Sequence, residues 1–78
     1  MISYSKQAEK FILSQGKKNA LRLYKAIEQL PLGDVKPYQG TKKPQLHRLR
    51  VGGYRVIFHY SEGLFSVLKV DNRGDVYK

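Results

Sequence analysis

The stretch "LHRLRVGGYRVIFHY", residues 46–60, holds the side chains best suited to chemistry: Arg48, Arg50 and Arg55, with His47 and His59 near its two ends. Arginine presents a planar fork that matches phosphate in a bidentate way and stays protonated at physiological pH. Histidine titrates near neutrality and suits acid–base work. The intervening residues alternate between apolar and polar, the period of a strand. The chemistry implied is capture and polarisation of a phosphate by a strand-borne basic cluster.

The whole chain agrees with that charge. Its 78 residues carry 15 Lys+Arg against 6 Asp+Glu, a formal net charge of +9. On so small a domain this points to a polyanionic partner: nucleic acid, anionic lipid or an acidic protein. No acidic residue falls between Asp34 and Glu62, whereas Lys36, Lys42, Lys43, Arg48, Arg50 and Arg55 all do. The chain has no cysteine, which excludes disulfides and thiolate metal sites. Two histidines and six carboxylates make a poor zinc site, so no metal or other cofactor is expected. No apolar run approaches the roughly 20 residues needed to span a bilayer, and no secretory pattern opens the chain. The expectation is a single cytoplasmic domain over residues 1–78, with no membrane partner and a core near the lower limit for independent folding.

Several elements must position the basic cluster. "MISYS" predicts a short strand, with Ser5 placed to cap a helix whose apolar residues are Ala8, Phe11 and Ile12. Ala20, Leu23, Tyr24, Ile27 and Leu30 recur at helical spacing, and Pro31 and Gly33 end this second helix. The short link at Gly16 predicts an antiparallel helix pair. Residues 31–45 hold all three prolines and predict the longest irregular segment, which brings Lys42 and Lys43 within reach of a phosphate backbone. Strands follow on either side of Gly52-Gly53 and after Ser61-Glu62-Gly63. The fold expected is α+β: two N-terminal antiparallel helices on one face of a small, mainly antiparallel sheet of three or four strands.

Parity then sorts the hairpin. A two-residue Gly52-Gly53 loop pairs Val51 with Tyr54, Leu49 with Val56 and His47 with Phe58. Paired residues share a face. One face therefore carries His47, Leu49, Val51, Tyr54, Val56, Phe58 and Tyr60 and covers the helices. The other carries Leu46, Arg48, Arg50, Arg55, Ile57 and His59. Three clustered guanidiniums repel unless an anion sits among them. For the last strand, burying Lys69 is costly. A three-residue turn is therefore expected, with Leu68 and Val70 in the core and Lys69 on the basic face.

With these elements in place, the chain resembles the RelE/ParE superfamily of bacterial and archaeal toxins. The likeness is carried by "YQG", "LRVGGYRVIF" and the terminal "NRGDVYK", and it spans nearly the whole sequence. It implies the toxin of a type II toxin–antitoxin system: a RelE-like, ribosome-dependent mRNA endonuclease that uses no metal and attacks through the 2′-OH. On the residues that match, it implies catalytic roles for Arg48, Arg55, Arg73 and Tyr77. Arg50, Lys42, Lys43 and Lys69 are candidate RNA or ribosome contacts. Leu46 and Arg48 stand where the RelE pattern has lysines. Arginine does not readily accept a proton, so acid–base work shifts toward Tyr77 or toward His59, and the general base stays open. His47 is expected to be structural.

The resemblance also implies partners: the ribosome, mRNA, and a cognate acidic antitoxin that covers the arginine face. Little chain follows Tyr77, so inhibition by displacing a C-terminal helix is not expected. Two alternatives remain at this stage, a ParE-like inhibitor of DNA gyrase and a basic nucleic-acid-binding domain without catalysis.

Overall fold

A computed structural model describes residues 1–38 and 45–72. Lys42, Lys43, Arg73 and Tyr77 lie outside the described residues. The order of elements is β1 (Ile2–Tyr4), α1 (Lys6–Ser14), α2 (Lys17–Glu28), β2 (Asp34–Pro37), β3 (Leu46–Val51), β4 (Tyr54–Ser61) and β5 (Leu64–Asn72). The strands form one sheet in the order β1-β5-β4-β3-β2, antiparallel except for the β1–β5 pair. The α+β architecture and the mainly antiparallel sheet are as the sequence predicts.

The sheet has five strands because the segment expected to be irregular contains β2. "DVKP" carries a single apolar residue and ends in proline, so it gives little strand signal. Such a sequence is tolerated at a sheet edge, where a missing N–H costs least.

Ser5 caps α1 by accepting a hydrogen bond from the Ala8 N–H at 3.1 Å. The apolar stripes of the helices then meet the sheet. Ile12, Leu23 and Ile27 pack with Leu49, Val56, Val67 and Val70, all of them essentially inaccessible to solvent. At the hairpin loop, Gly52 has φ 57°, a conformation that glycine adopts without a steric penalty. The β3–β4 pairs are those predicted by parity: Val51 with Tyr54, Leu49 with Val56 and His47 with Phe58. His47 stacks on Phe58, their centroids 5.7 Å apart, on the apolar side as expected. Tyr60 also takes that side, but it remains 52% exposed and packs on Phe65 at 4.6 Å.

The last strand departs from expectation. Ser61 pairs with Leu64, so the loop is the two residues Glu62 and Gly63, with φ 49° and 82°. Positive φ at both positions marks the primed turn that matches strand twist. The parity problem posed by Lys69 is solved further along. Phe58 pairs with Val67 and Ile57 with Lys69, leaving Leu68 as an extra residue in a β-bulge. Val67 and Val70 thereby both reach the core, Lys69 turns to the basic face, and Leu68 is 42% exposed rather than buried.

The backbone around this bulge is satisfied from the start of α1. The Ser5 N–H donates to the Val67 carbonyl at 2.9 Å, and the Ser5 hydroxyl donates to the Leu68 carbonyl at 2.7 Å. The Gln7 side chain both accepts from the Val70 N–H and donates to its carbonyl, each at 3.2 Å. Two side chains thus continue the edge pairing where β1 stops.

Two outcomes follow. Val67→Ser removes buried methyl groups and buries a hydroxyl, and should cost about 2 kcal/mol or more. Leu68→Ser should stay within about 0.5 kcal/mol of the parent. Denaturant unfolding compares them, and the reverse order would contradict the bulge. On β1, beside the bulge, Tyr4 stacks edge-on against Tyr24 at 5.3 Å. Burial, then the charges of Glu28 and Tyr24, push the Tyr4 phenol from 10.0 up to about 12. The unfolded phenol ionises first, so this contribution to stability is intact below about pH 10 and is lost as pH rises through about 12. Tyr4→Phe should flatten that part of the stability–pH curve, measured by denaturant unfolding at a series of alkaline pH values.

Candidate nucleic-acid interface

The outer face of β2–β5 is ordered in rows by the strand registers. One row runs Asp34, Arg50, Arg55, Asp71. The next runs Lys36, Arg48, Ile57, Lys69. Beyond it, His59 stands between Leu46 and Ser66. Cross-strand neighbours on one face interact directly, so this grid fixes which charges meet.

Arg50 and Arg55 are directly opposite each other, a repulsive placement for like charges. The chain supplies its own compensation. Asp71 holds Arg55 through both carboxylate oxygens, with Nε to Oδ1 at 3.2 Å and Nη2 to Oδ2 at 2.8 Å. Asp34 stands in register across from Arg50 at the other end of the row. The Arg55 guanidinium also lies over the Tyr38 ring, 5.5 Å from its centroid.

The second row is different in character. Lys36 and Lys69 are exposed, and Ile57 between Arg48 and Lys69 is only 5% exposed. The aliphatic stems of such basic residues are long enough to shield an apolar neighbour while the charge stays outside. Arg48 Nη1 is buried and has no hydrogen-bond partner among the described residues. A buried guanidinium nitrogen without a partner is costly and suits an incoming acceptor.

Lys36, Pro37, Tyr38, Arg48 and Arg55 together line an open concavity of about 270 Å³. Two guanidiniums, an ammonium and a phenol ring around one hollow can bind an anion and offer an aromatic surface beside it. The expected residues Arg48 and Arg55 are brought together here. Arg50 is exposed on the same face, next to Arg55 in register, and Lys69 lies beyond Ile57. His59 is on the basic face as parity predicts, but it does not line the hollow. It is four residues from Arg55 along β4, roughly 13 Å at about 3.3 Å per residue.

Sequence reasoning missed Tyr38 and Asp71. Tyr38 follows β2 and continues the alternation of Asp34 and Lys36, a signal visible only once β2 is recognised. Asp71 is brought opposite Arg55 by the Leu68 bulge.

The fold has counterparts among solved structures. A chain of the archaeal RelE–RelB complex from Pyrococcus horikoshii OT3 matches with 29% identity and a TM-score of 0.71, over 94% of this chain and 93% of that one. The fold is that of the RelE superfamily. A chain of the E. coli DinJ–YafQ toxin–antitoxin complex matches the RelE-like chain with 21% identity and a TM-score of 0.65, over 100% of this chain and 97% of that one. No protein-family model matches the sequence, and no curated protein matches it.

If the hollow is the anion site, binding to single-stranded RNA should depend on salt through its cations. Arg48→Ala and Lys36→Ala should each lower the slope of log K against log salt by about 0.7, the value for one contact with a single strand. Fluorescence titration at several salt concentrations measures this. An unchanged slope in both variants would place the contact elsewhere.

Proposed function

We propose that this RelE-like chain is the toxin of a type II toxin–antitoxin pair and acts as a ribosome-dependent endonuclease on mRNA. The observation that carries the proposal is the basic hollow at Lys36, Tyr38, Arg48 and Arg55 on a fold shared with a chain of an archaeal RelE–RelB complex. The neighbours come from complexes with RelB and DinJ, which supports a partner antitoxin for this chain as well. An acidic antitoxin would complement the +9 charge.

The chemistry suits an enzyme without a bound cofactor, because RNA carries its own nucleophile. The 2′-oxygen attacks the adjacent phosphorus and its proton passes to a base. The bond from phosphorus to the 5′-oxygen breaks, and that oxygen gains a proton. The products are a 2′,3′-cyclic phosphate and a 5′-hydroxyl. Arg48 and Arg55 stabilise the charge that grows on the phosphate oxygens. The ribosome and the hollow together hold the 2′-OH in line. Arg73 and Tyr77 enter from the resemblance of "NRGDVYK". Tyr77 is the candidate for proton transfer, since His59 stands outside the hollow, and Arg50, Lys42, Lys43 and Lys69 are candidate RNA contacts.

The test is cleavage of mRNA on programmed ribosomes. The wild-type chain should cut, Arg55→Ala should cut about a hundred- to a thousandfold more slowly, and Tyr77→Phe should lose cutting while still binding ribosomes. Intact mRNA together with inhibited gyrase supercoiling would overturn the proposal in favour of a ParE-like activity. Ribosome or RNA binding with no cleavage would leave a binding domain instead.

A further inference from the structure

Asp71 has no role in the proposal so far, yet it makes the most specific polar contact on the basic face. Both of its oxygens engage the Nε–Nη2 edge of Arg55, and the pair is partly shielded, with side-chain exposures of 19% and 24%. The Tyr38 ring lies against the same guanidinium. A carboxylate at its edge and a ring against its face fix the orientation of a side chain that otherwise samples many rotamers. Arg55 also lines the hollow, so the fixed group is held at the wall of the proposed anion site.

The pairing has an electrostatic consequence. A compensated guanidinium attracts a distant polyanion less than a bare one does. It still offers oriented donors close at hand, and their value rises as negative charge grows on a neighbouring phosphate. Interactions that strengthen only in the transition state raise turnover rather than affinity. Exposed Lys36, which has no carboxylate opposite it in register, is better placed for initial capture.

We infer that Asp71 is the positioning residue for Arg55, holding its guanidinium at the hollow and offsetting its charge so that Arg55 serves turnover while Lys36 serves RNA capture. This rests on the proposed ribonuclease activity. Asp71 is exposed enough for its carboxylate to be swapped without opening the core, and Asp71→Asn keeps its size while removing the charge.

The experiment is steady-state cleavage of mRNA on programmed ribosomes, with thermal unfolding of every variant in parallel. Asp71→Asn should lower kcat about tenfold or more, with KM unchanged or lower, because the face has gained net positive charge. Lys36→Ala should instead raise KM. Asp71→Glu, which keeps the carboxylate, should recover part of the lost kcat. In an Arg55→Ala background, Asp71→Asn should cost no further kcat, since the two act as one unit. A wild-type kcat in Asp71→Asn, a loss confined to a raised KM, or full additivity with Arg55→Ala would overturn the inference while leaving the activity standing. Absence of cleavage by the wild-type chain would overturn the activity and this inference with it.

Discussion

The bulge at Leu68 is the constraint on which the rest of the molecule depends. A strand alternates faces without exception unless a residue is inserted. Continued straight from the Phe58–Val67 pair, β5 would bury Lys69 beneath the helices and set Val70 against Arg55. One extra residue reverses that outcome. Val67 and Val70 both enter the core, Lys69 joins the basic face, and Asp71 arrives opposite Arg55. The distortion is held by Ser5 and Gln7, whose side chains bond the carbonyls of Leu68 and Val70. The N-terminus of α1 therefore contributes to the geometry of a site on the far side of the sheet.

That geometry divides a strongly basic surface into two kinds of charge. In the row nearer the hairpin loop, Asp34 and Asp71 flank two arginines, and one bridge is closed and bidentate. In the row beside it, a buried isoleucine stands between Arg48 and Lys69, Lys36 lies beyond Arg48, and no register partner is acidic. Net charge alone describes attraction to a polyanion, but it does not say where the anion rests or which cation is held rigidly. The hollow lies where the two rows meet beside Tyr38, so cations without an acidic register partner and a carboxylate-held guanidinium are adjacent.

Much of this was legible in the sequence because its signals are local. Helical spacing located Ile12, Leu23 and Ile27, and the Gly52-Gly53 loop fixed the β3–β4 register, which placed Arg48, Arg50 and Arg55 on one face. What escaped depended on contacts distant in the chain. "DVKP" has too little apolar content to declare itself a strand and gains its pairing from β3. The penalty for burying Lys69 is legible in the sequence, but a longer turn, which would put Leu68 inside, answers it equally well on local grounds. The fold relieves it within the strand instead, using hydrogen bonds from residues more than sixty positions away. Asp71 was invisible as a site residue for the same reason. Arg73 and Tyr77, read from the terminal motif, and Lys42 and Lys43 lie outside the described residues.

The central claim is that the hollow beside Arg48 and Arg55 is where RNA binds. Its most direct test is an NMR titration of the isotopically labelled chain with a short single-stranded RNA. The side-chain and backbone signals of Lys36, Tyr38, Arg48, Arg55 and Asp71 should shift together, with the outward faces of α1 and α2 unaffected. Shifts centred on the helices, with those five residues unmoved, would contradict it.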